Sequence, residues 1–208
     1  MSISLYSNRP NLVIGFHGCD QSTVDKVVSG EEHLKASKND YDWLGHGIYF
    51  WENNEIRALE WAKELSQRKS SSIKDPAVIG AVIDLGHCFD LTDSAYLKEL
   101  KSTYDLLVKV SELSGNPLPE NEDVDINKSG DLLLRKLDCS VISMTHQLNK
   151  EAEQEPYDSV RGVFWEGNRL YPNAGFAEKN HIQICICNPN CIKGYFIPRI
   201  LDENFVNP

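Results

Sequence analysis

Five apolar runs along the chain are bounded by turn-forming residues, and their length and composition predict strands. Two of them are almost continuously apolar, which is typical of buried strands. Another begins with two glycines, which predict a tight turn ahead of an aromatic and β-branched stretch. The runs are "LVIGFHG" (12–18), "GHGIYFWE" (45–52), "AVIGAVIDLG" (77–86), "YDSVRGVFWEG" (157–167) and "HIQICICN" (181–188).

Two segments between these runs carry the spacing and end signals of helices. "TVDKVVSG" (23–30) predicts a short helix with Thr23 as its N-cap and Gly30 as its C-terminal stop. "NNEIRALEWAKELSQRK" (53–69) predicts a longer helix, and Asn54 is its expected N-cap.

The middle of the chain has a different character. Residues 93–113 predict an amphipathic helix, 114–130 form a polar segment with proline and glycine, and apolar residues then recur at helical spacing over 133–148. We therefore expect residues 92–150 to be a mainly helical insertion in an otherwise β-rich domain over 1–208. The order of strands and helices predicts the α+β class.

Composition limits the classes of function. The chain has 208 residues, 41% hydrophobic and 25% charged, as in a soluble globular domain. It contains no apolar run of ~18 residues and no secretory leader, so we expect a cytoplasmic protein with no membrane contact. The net charge of -10 argues against broad nucleic-acid binding, although a local basic patch stays open, with Arg161, Arg169 and Lys179 as candidates.

The cysteines are not spaced as a disulfide framework, so reduced thiols are expected. Three lie close together near the C-terminus, but their spacing is unusual for zinc and a fourth ligand is missing, so no metal is expected. The six are Cys19, Cys88, Cys139, Cys185, Cys187 and Cys191.

Three of the strand segments carry residues suited to chemistry. His17 and Gly18 end the first apolar run, Tyr49 follows the turn glycines of the second, and Gln183 lies in the last. Each residue alone is typical of a packed or hydrogen-bonded position. Their order along the chain gives them a second interpretation.

In that order, "FHG", "GHGIYF" and "QICICNP" resemble the motifs of the ADP-ribosyltransferase superfamily, in its diphtheria-toxin and poly(ADP-ribose) polymerase branch. That branch binds NAD with a His-Tyr-Glu triad and cleaves the bond between nicotinamide and ribose. The resemblance implies split mixed or antiparallel sheets with flanking helices. "GHGIYF" is its most specific part, and residues 92–150 have no counterpart in the family's pattern.

The resemblance assigns roles to residues of this chain. His17 and Tyr49 take the first two triad positions, and Gly18 takes the glycine whose backbone holds the nicotinamide amide. Trp61 is the nearest candidate for the aromatic residue that packs on nicotinamide, displaced by about one position. Cys19 and Phe50 are expected beside NAD, Cys19 without acting as a nucleophile. The loop 166–180 matches the segment that presents the acceptor, with Arg169, Tyr171 and Phe176 as contacts.

Gln183 is the departure from the family's pattern. It stands where the catalytic glutamate is expected, so it keeps a hydrogen-bond acceptor but lacks the negative charge that stabilises the oxocarbenium-like transition state. Losing one such electrostatic group costs ~10²–10³ in rate. His181, two residues earlier, is a candidate base that accepts a proton from the acceptor.

The favoured interpretation is an NAD-dependent ADP-ribosyltransferase that modifies a macromolecule and releases nicotinamide, as a bacterial toxin, effector or defence enzyme. The acceptor is a protein or a nucleic acid, and an antitoxin or immunity protein is a possible partner. The alternatives are an NAD- or nucleotide-binding module with impaired catalysis, and an NAD glycohydrolase in which water replaces the acceptor.

Overall fold

A computed structural model describes residues 12–123 and 132–206, and its secondary structure is mixed. The N-terminal segment and residues 124–130 of the polar loop, both used in the sequence predictions, lie outside the described residues. Seven strands form one sheet and two short strands form a second. The elements in chain order are β1 (Val13–Asp20), α1 (Gln21–Ser29), β2 (Ile48–Glu52), α2 (Glu55–Ser66), β3 (Pro76–Ile83), β4 (Cys88–Asp90), α3 (Ser94–Ser114), β5 (Asn121–Glu122), β6 (Leu134–Arg135), α4 (Lys136–Glu151), β7 (Ser159–Phe164), β8 (His181–Ile186), a 3₁₀ turn (Pro189–Cys191) and β9 (Ile192–Phe196).

The large sheet has the strand order β4-β7-β8-β2-β1-β3-β9. β4 and β7 run parallel, and every other neighbouring pair in this sheet is antiparallel. A sheet of this kind with helices on its faces confirms the α+β class. The five predicted strand segments become β1, β2, β3, β7 and β8, whereas β4, β5, β6 and β9 were not predicted. The first three of these have only two or three residues, and β9 follows β8 directly through the 3₁₀ turn.

The helices follow the predicted segments, with one correction at an end. Thr23 is not the N-cap of α1: Asp20 caps the helix by accepting from the Ser22 backbone N–H at 3.1 Å, so α1 begins earlier. Gly30 ends α1 in the left-handed region at φ 81°, as its lack of a side chain allows. Asn54 caps α2 as predicted, accepting from the Arg57 N–H at 3.0 Å.

Apolar side chains form cores on both faces of the large sheet. One core contains Val24 and Val27 of α1 together with alternate residues of β1, β2, β3 and β8. The other contains Phe89, Val160 and Cys185 from the strands and Ile142 from α4, with α3 packed alongside. The 92–150 segment connects the parallel strands β4 and β7, and its two helices cover this second face of the sheet.

The sheet opens between β1 and β2. β3 pairs with β1 along its whole length, from Val13 to Asp20. β2, in contrast, pairs with β1 only through Gly15↔Glu52 and Phe16↔Trp51. The C-terminal half of β1 and the N-terminal half of β2 therefore diverge, and the seven strands fall into groups of four and three that are joined by this short pair.

Candidate functional site

The three motif strands are consecutive neighbours in the sheet, in the order β8-β2-β1. The divergence of β1 from β2 begins immediately after Phe16, so His17 and Gly18 lie on the β1 side of the opening. Tyr49 and Phe50 lie on the β2 side. The folded chain therefore brings the first two motifs to one opening in the sheet.

His17 links the two sides of this opening. Its Nδ1 lies 2.7 Å from the Tyr49 carbonyl oxygen. Because a carbonyl oxygen only accepts hydrogen bonds, Nδ1 carries the proton, and Nε2 of the neutral ring keeps a lone pair. Burial lowers the pKa of His17 and so favours the neutral ring; the hydrogen bond to Tyr49 raises the pKa, but by less. The His17 ring also packs 5.8 Å from the Phe50 ring.

The hydroxyl of Tyr49 is used within the turn that precedes β2. It donates to the Gly45 carbonyl oxygen at 2.6 Å and accepts from the Leu44 N–H at 2.8 Å. Burial raises the pKa of this phenol, so it stays protonated. The turn therefore holds the phenol proton, and the Tyr49 ring packs on the Trp51 face of β2, opposite Phe50 and His17.

Gly18 has a packing role that the sequence did not indicate. A Cβ built on Gly18 would lie 2.1 Å from the Ala58 carbonyl oxygen of α2. The missing side chain therefore allows α2 to pack directly on β1. Three residues further along this helix, Trp61 packs its ring 5.6 Å from the ring of Trp51.

Cys19, the next residue along β1, is buried in the core beside α1. Burial, with the nearby Asp20 carboxylate, raises the pKa of its thiol to about 11. A thiol protonated to this degree is a poor nucleophile.

Gln183 and His17 lie on opposite faces of the sheet. Gln183 is the register partner of Trp51 and therefore shares its face, whereas His17 packs on Phe50, the preceding residue of β2. Gln183 is buried, at 9% exposure. The third motif is thus beside the closed end of the opening, on the side covered by α2.

His181 shares the Trp51 face, and its ring is enclosed. Its side chain has 0% exposure. The imidazole ring stacks on the Phe164 ring, with 5.6 Å between centroids, and its centroid lies 6.2 Å from that of the Trp51 ring. Nδ1 lies 2.6 Å from the Lys179 carbonyl oxygen and so carries the proton. Burial lowers the pKa of His181 to about 4, so the ring is neutral near pH 7. A proton-accepting role toward a bound macromolecule would require this enclosure to open.

Two charged residues that are not among the predicted site residues, Arg57 and Glu166, lie beside His181 on the Trp51 face. Arg57 of α2 donates through Nη2 to Glu166 Oε1 at 2.8 Å, and Glu166 Oε2 lies 3.6 Å from His181 Nδ1. The sequence signal for Arg57 was its spacing of four residues from Trp61, which places both on the same face of α2. Within residues 12–123 and 132–206, three groups here have buried polar atoms without a hydrogen-bond partner: Trp51 Nε1, Arg57 Nε and Nη1, and His181 Nε2.

The candidate acceptor loop is folded back on itself. Arg169 bridges to Ala177, donates to the Ala174 carbonyl oxygen and lies 5.4 Å from the Trp165 ring. Tyr171 and Phe176 are exposed at 57% and 63%. The loop thus presents two aromatic side chains to solvent.

The candidate basic patch does not form as predicted. Arg161 is buried and pairs with Glu52, with an Nε–Oε2 distance of 2.5 Å, and with Asp90 at 3.3 Å. Lys179 pairs with Glu64 at 2.8 Å. Of the three predicted cations, two are therefore neutralised by carboxylates within the chain.

The described part of the chain lacks two other kinds of feature. It contains no helix with the length and apolar character needed to cross a membrane. Residues 12–123 and 132–206 also hold no group of three or more His, Cys, Asp or Glu side chains arranged for a metal ion.

The chain is similar to a protein of Methanocaldococcus jannaschii named "Uncharacterized protein MJ0359". The two are 26% identical over 194 residues, which span 86% of this chain and 83% of the relative. No family model and no solved structure matches the chain. The similarity extends over most of both proteins, so it concerns the domain as a whole.

Proposed function

We propose that this protein is an NAD-dependent ADP-ribosyltransferase with its NAD site at the opening between β1 and β2. The observation that carries the proposal is the divergence of these strands at the level of His17, Gly18 and Tyr49. An unpaired strand edge presents backbone N–H and C=O groups. The nicotinamide amide offers the complementary acceptor and donor, so it suits such an edge.

The side chains around the opening support the same ligand. His17 Nε2 is available to accept from a ribose hydroxyl. The half-buried Tyr49 ring offers a flat apolar surface on the Trp51 and Gln183 face of the sheet, opposite the buried Phe50. The exposed Tyr171 and Phe176 suit contact with a macromolecular acceptor. The net charge of -10 and the internal pairing of Arg161 and Lys179 favour a protein over a nucleic acid.

A second candidate function is an NAD-binding module with little or no transfer activity. Gln183 favours it, because an uncharged amide on the Trp51 face gives no anionic stabilisation to a ribosyl cation. An NAD glycohydrolase is the third outcome of the same experiment, with water as the acceptor.

The test begins with binding. NAD is titrated calorimetrically into the purified chain and into His17→Ala, with the exposed His33→Ala as the matched control. We expect His17→Ala to weaken binding about tenfold or more, since it removes one hydrogen-bonding ring at the opening, and His33→Ala to leave it unchanged. Equal binding by wild type and His17→Ala would contradict the proposed site.

The reaction is then identified with NAD that is labelled on its ADP-ribose half. Label on a macromolecule of a cell lysate supports the transferase, and protease or nuclease digestion identifies the acceptor class. Free ADP-ribose supports the glycohydrolase. Binding without either product supports the module.

A further inference from the structure

Two cysteines and a histidine meet at the end of β8 that is remote from Gln183. Cys185 and Cys187 are two residues apart on an extended segment, so their side chains point to the same side. The Cys187 backbone N–H donates to the Asp158 carbonyl oxygen at 2.9 Å, which holds this segment in place. His146 of α4 lies beside this segment, and its Nε2 is 3.9 Å from Cys187 Sγ.

The two thiols differ in access. Cys185 is fully buried, and its Sγ lies 3.7 Å from the Gly45 carbonyl oxygen. Cys187 is partly exposed, and its Sγ lies 3.9 Å from the His46 carbonyl oxygen. A reagent in solution therefore reaches Cys187 before Cys185.

Two side chains beside Cys187 favour its thiolate, whereas the His46 carbonyl oxygen can accept only from the protonated thiol. A hydrogen bond from the Cys185 thiol is the largest effect, His146 adds a hydrogen bond and a charge interaction, and together they lower the pKa of Cys187 to about 5. Burial and the Asp158 carboxylate oppose this shift. Burial, with smaller contributions from Cys187 and Asp42, raises the pKa of Cys185, so this thiol stays protonated.

We propose that Cys187 is an activated thiol, held as a thiolate by His146 and Cys185, and that it is a site of covalent modification by soft electrophiles and peroxides. With an alkyl halide, a sulfur–carbon bond forms and halide leaves. With hydrogen peroxide, a sulfur–oxygen bond forms, the O–O bond breaks and hydroxide leaves, so sulfur is oxidised and peroxide is reduced. This modification is independent of NAD chemistry.

The test measures iodoacetamide alkylation of each cysteine in the intact chain between pH 5 and 9 by peptide mass spectrometry. An ordinary thiol reacts about tenfold faster for each pH unit below its pKa, whereas a thiolate already formed gives a flat profile. We expect the Cys187 rate to be nearly constant above pH 6. At pH 5.5 it should exceed the rate of the partly buried Cys88 roughly tenfold or more, after allowance for the lower nucleophilicity of a less basic thiolate.

Variants test the cause of the activation. His146→Gln should move the midpoint of the Cys187 profile upward by about one pH unit, and Cys185→Ala should also raise it. His33→Gln, on the surface, should leave the midpoint unchanged, and Cys187→Ser should abolish the early-reacting peptide. A Cys187 rate that climbs tenfold per unit between pH 6 and 8 in the wild-type chain would overturn the proposal, whether or not the variants fold.

Discussion

Gly18→Ala tests whether Gly18 serves helix packing, ligand approach or both. The added Cβ would lie 2.1 Å from the Ala58 carbonyl oxygen, and real Cβ atoms essentially never approach another heavy atom within 3.0 Å. Backbone must therefore move by about 0.9 Å, the difference between these distances. A main-chain carbonyl inside a helix cannot rotate away as a flexible side chain can, so α2 must shift as a unit.

Overpacking of this kind costs typically 1–3 kcal/mol, and the backbone contact places Gly18→Ala toward the upper end, at about 2–3 kcal/mol of unfolding free energy. Gly194→Ala is the matched control, because Gly194 also lies in a strand and a Cβ there meets no heavy atom within 4 Å. We expect the control to change stability by no more than about 0.5 kcal/mol.

The assay is urea unfolding followed by tryptophan fluorescence, since Trp51 and Trp61 pack on each other beside α2. Unfolding of Gly18→Ala and Gly194→Ala at the same urea concentration would refute the packing role of Gly18. NAD titration of the same proteins separates the two roles. A loss of binding without a loss of stability would assign Gly18 to the ligand alone.

Three further outcomes are expected. Arg161→Met should lower the unfolding free energy by about 3–5 kcal/mol in urea titrations, because it leaves the buried Asp90 and the partly buried Glu52 carboxylates without this cation. The exposed Arg199→Met should have little effect. The free energy of unfolding should fall as the pH drops from about 6.5 to about 4, because the unfolded chain takes up a proton on His181 that the folded chain excludes. His181 accounts for about 3 kcal/mol of this loss, and urea unfolding of His181→Phe should therefore show a flatter pH dependence in this range. Gln183→Glu should raise the initial rate of nicotinamide release, by up to ~10²-fold, if the proposed reaction occurs, and an unchanged rate would contradict the role given to position 183.

The sequence was sufficient for local structure and for the order of the candidate motifs. Apolar runs identified five of the seven strands of the large sheet, and Asn54 and Gly30 marked helix ends correctly, because these signals depend on a few neighbouring residues. The strands β4, β5, β6 and β9 and the cap by Asp20 were missed. β4, β5 and β6 have only two or three residues, too few to show a periodicity.

The candidate site depended on the sequence for its residue types and on the fold for their placement. The motif around His17 and the one around Tyr49 indicated a paired site, and the structure places both at one opening. No local pattern indicated that Gln183 would lie on the other face of the sheet from His17, because strand register determines that relation.

The sequence by itself determined the α+β class, most of the strand and helix segments, and which residue types are available for chemistry. The tertiary structure alone decided that Arg161 is buried between carboxylates, that α2 packs directly on Gly18, and that His146 lies beside Cys187. Each of these relations joins residues that lie about forty or more positions apart in the sequence. Burial and partner distance, which set both packing and pKa, exist only once those segments meet.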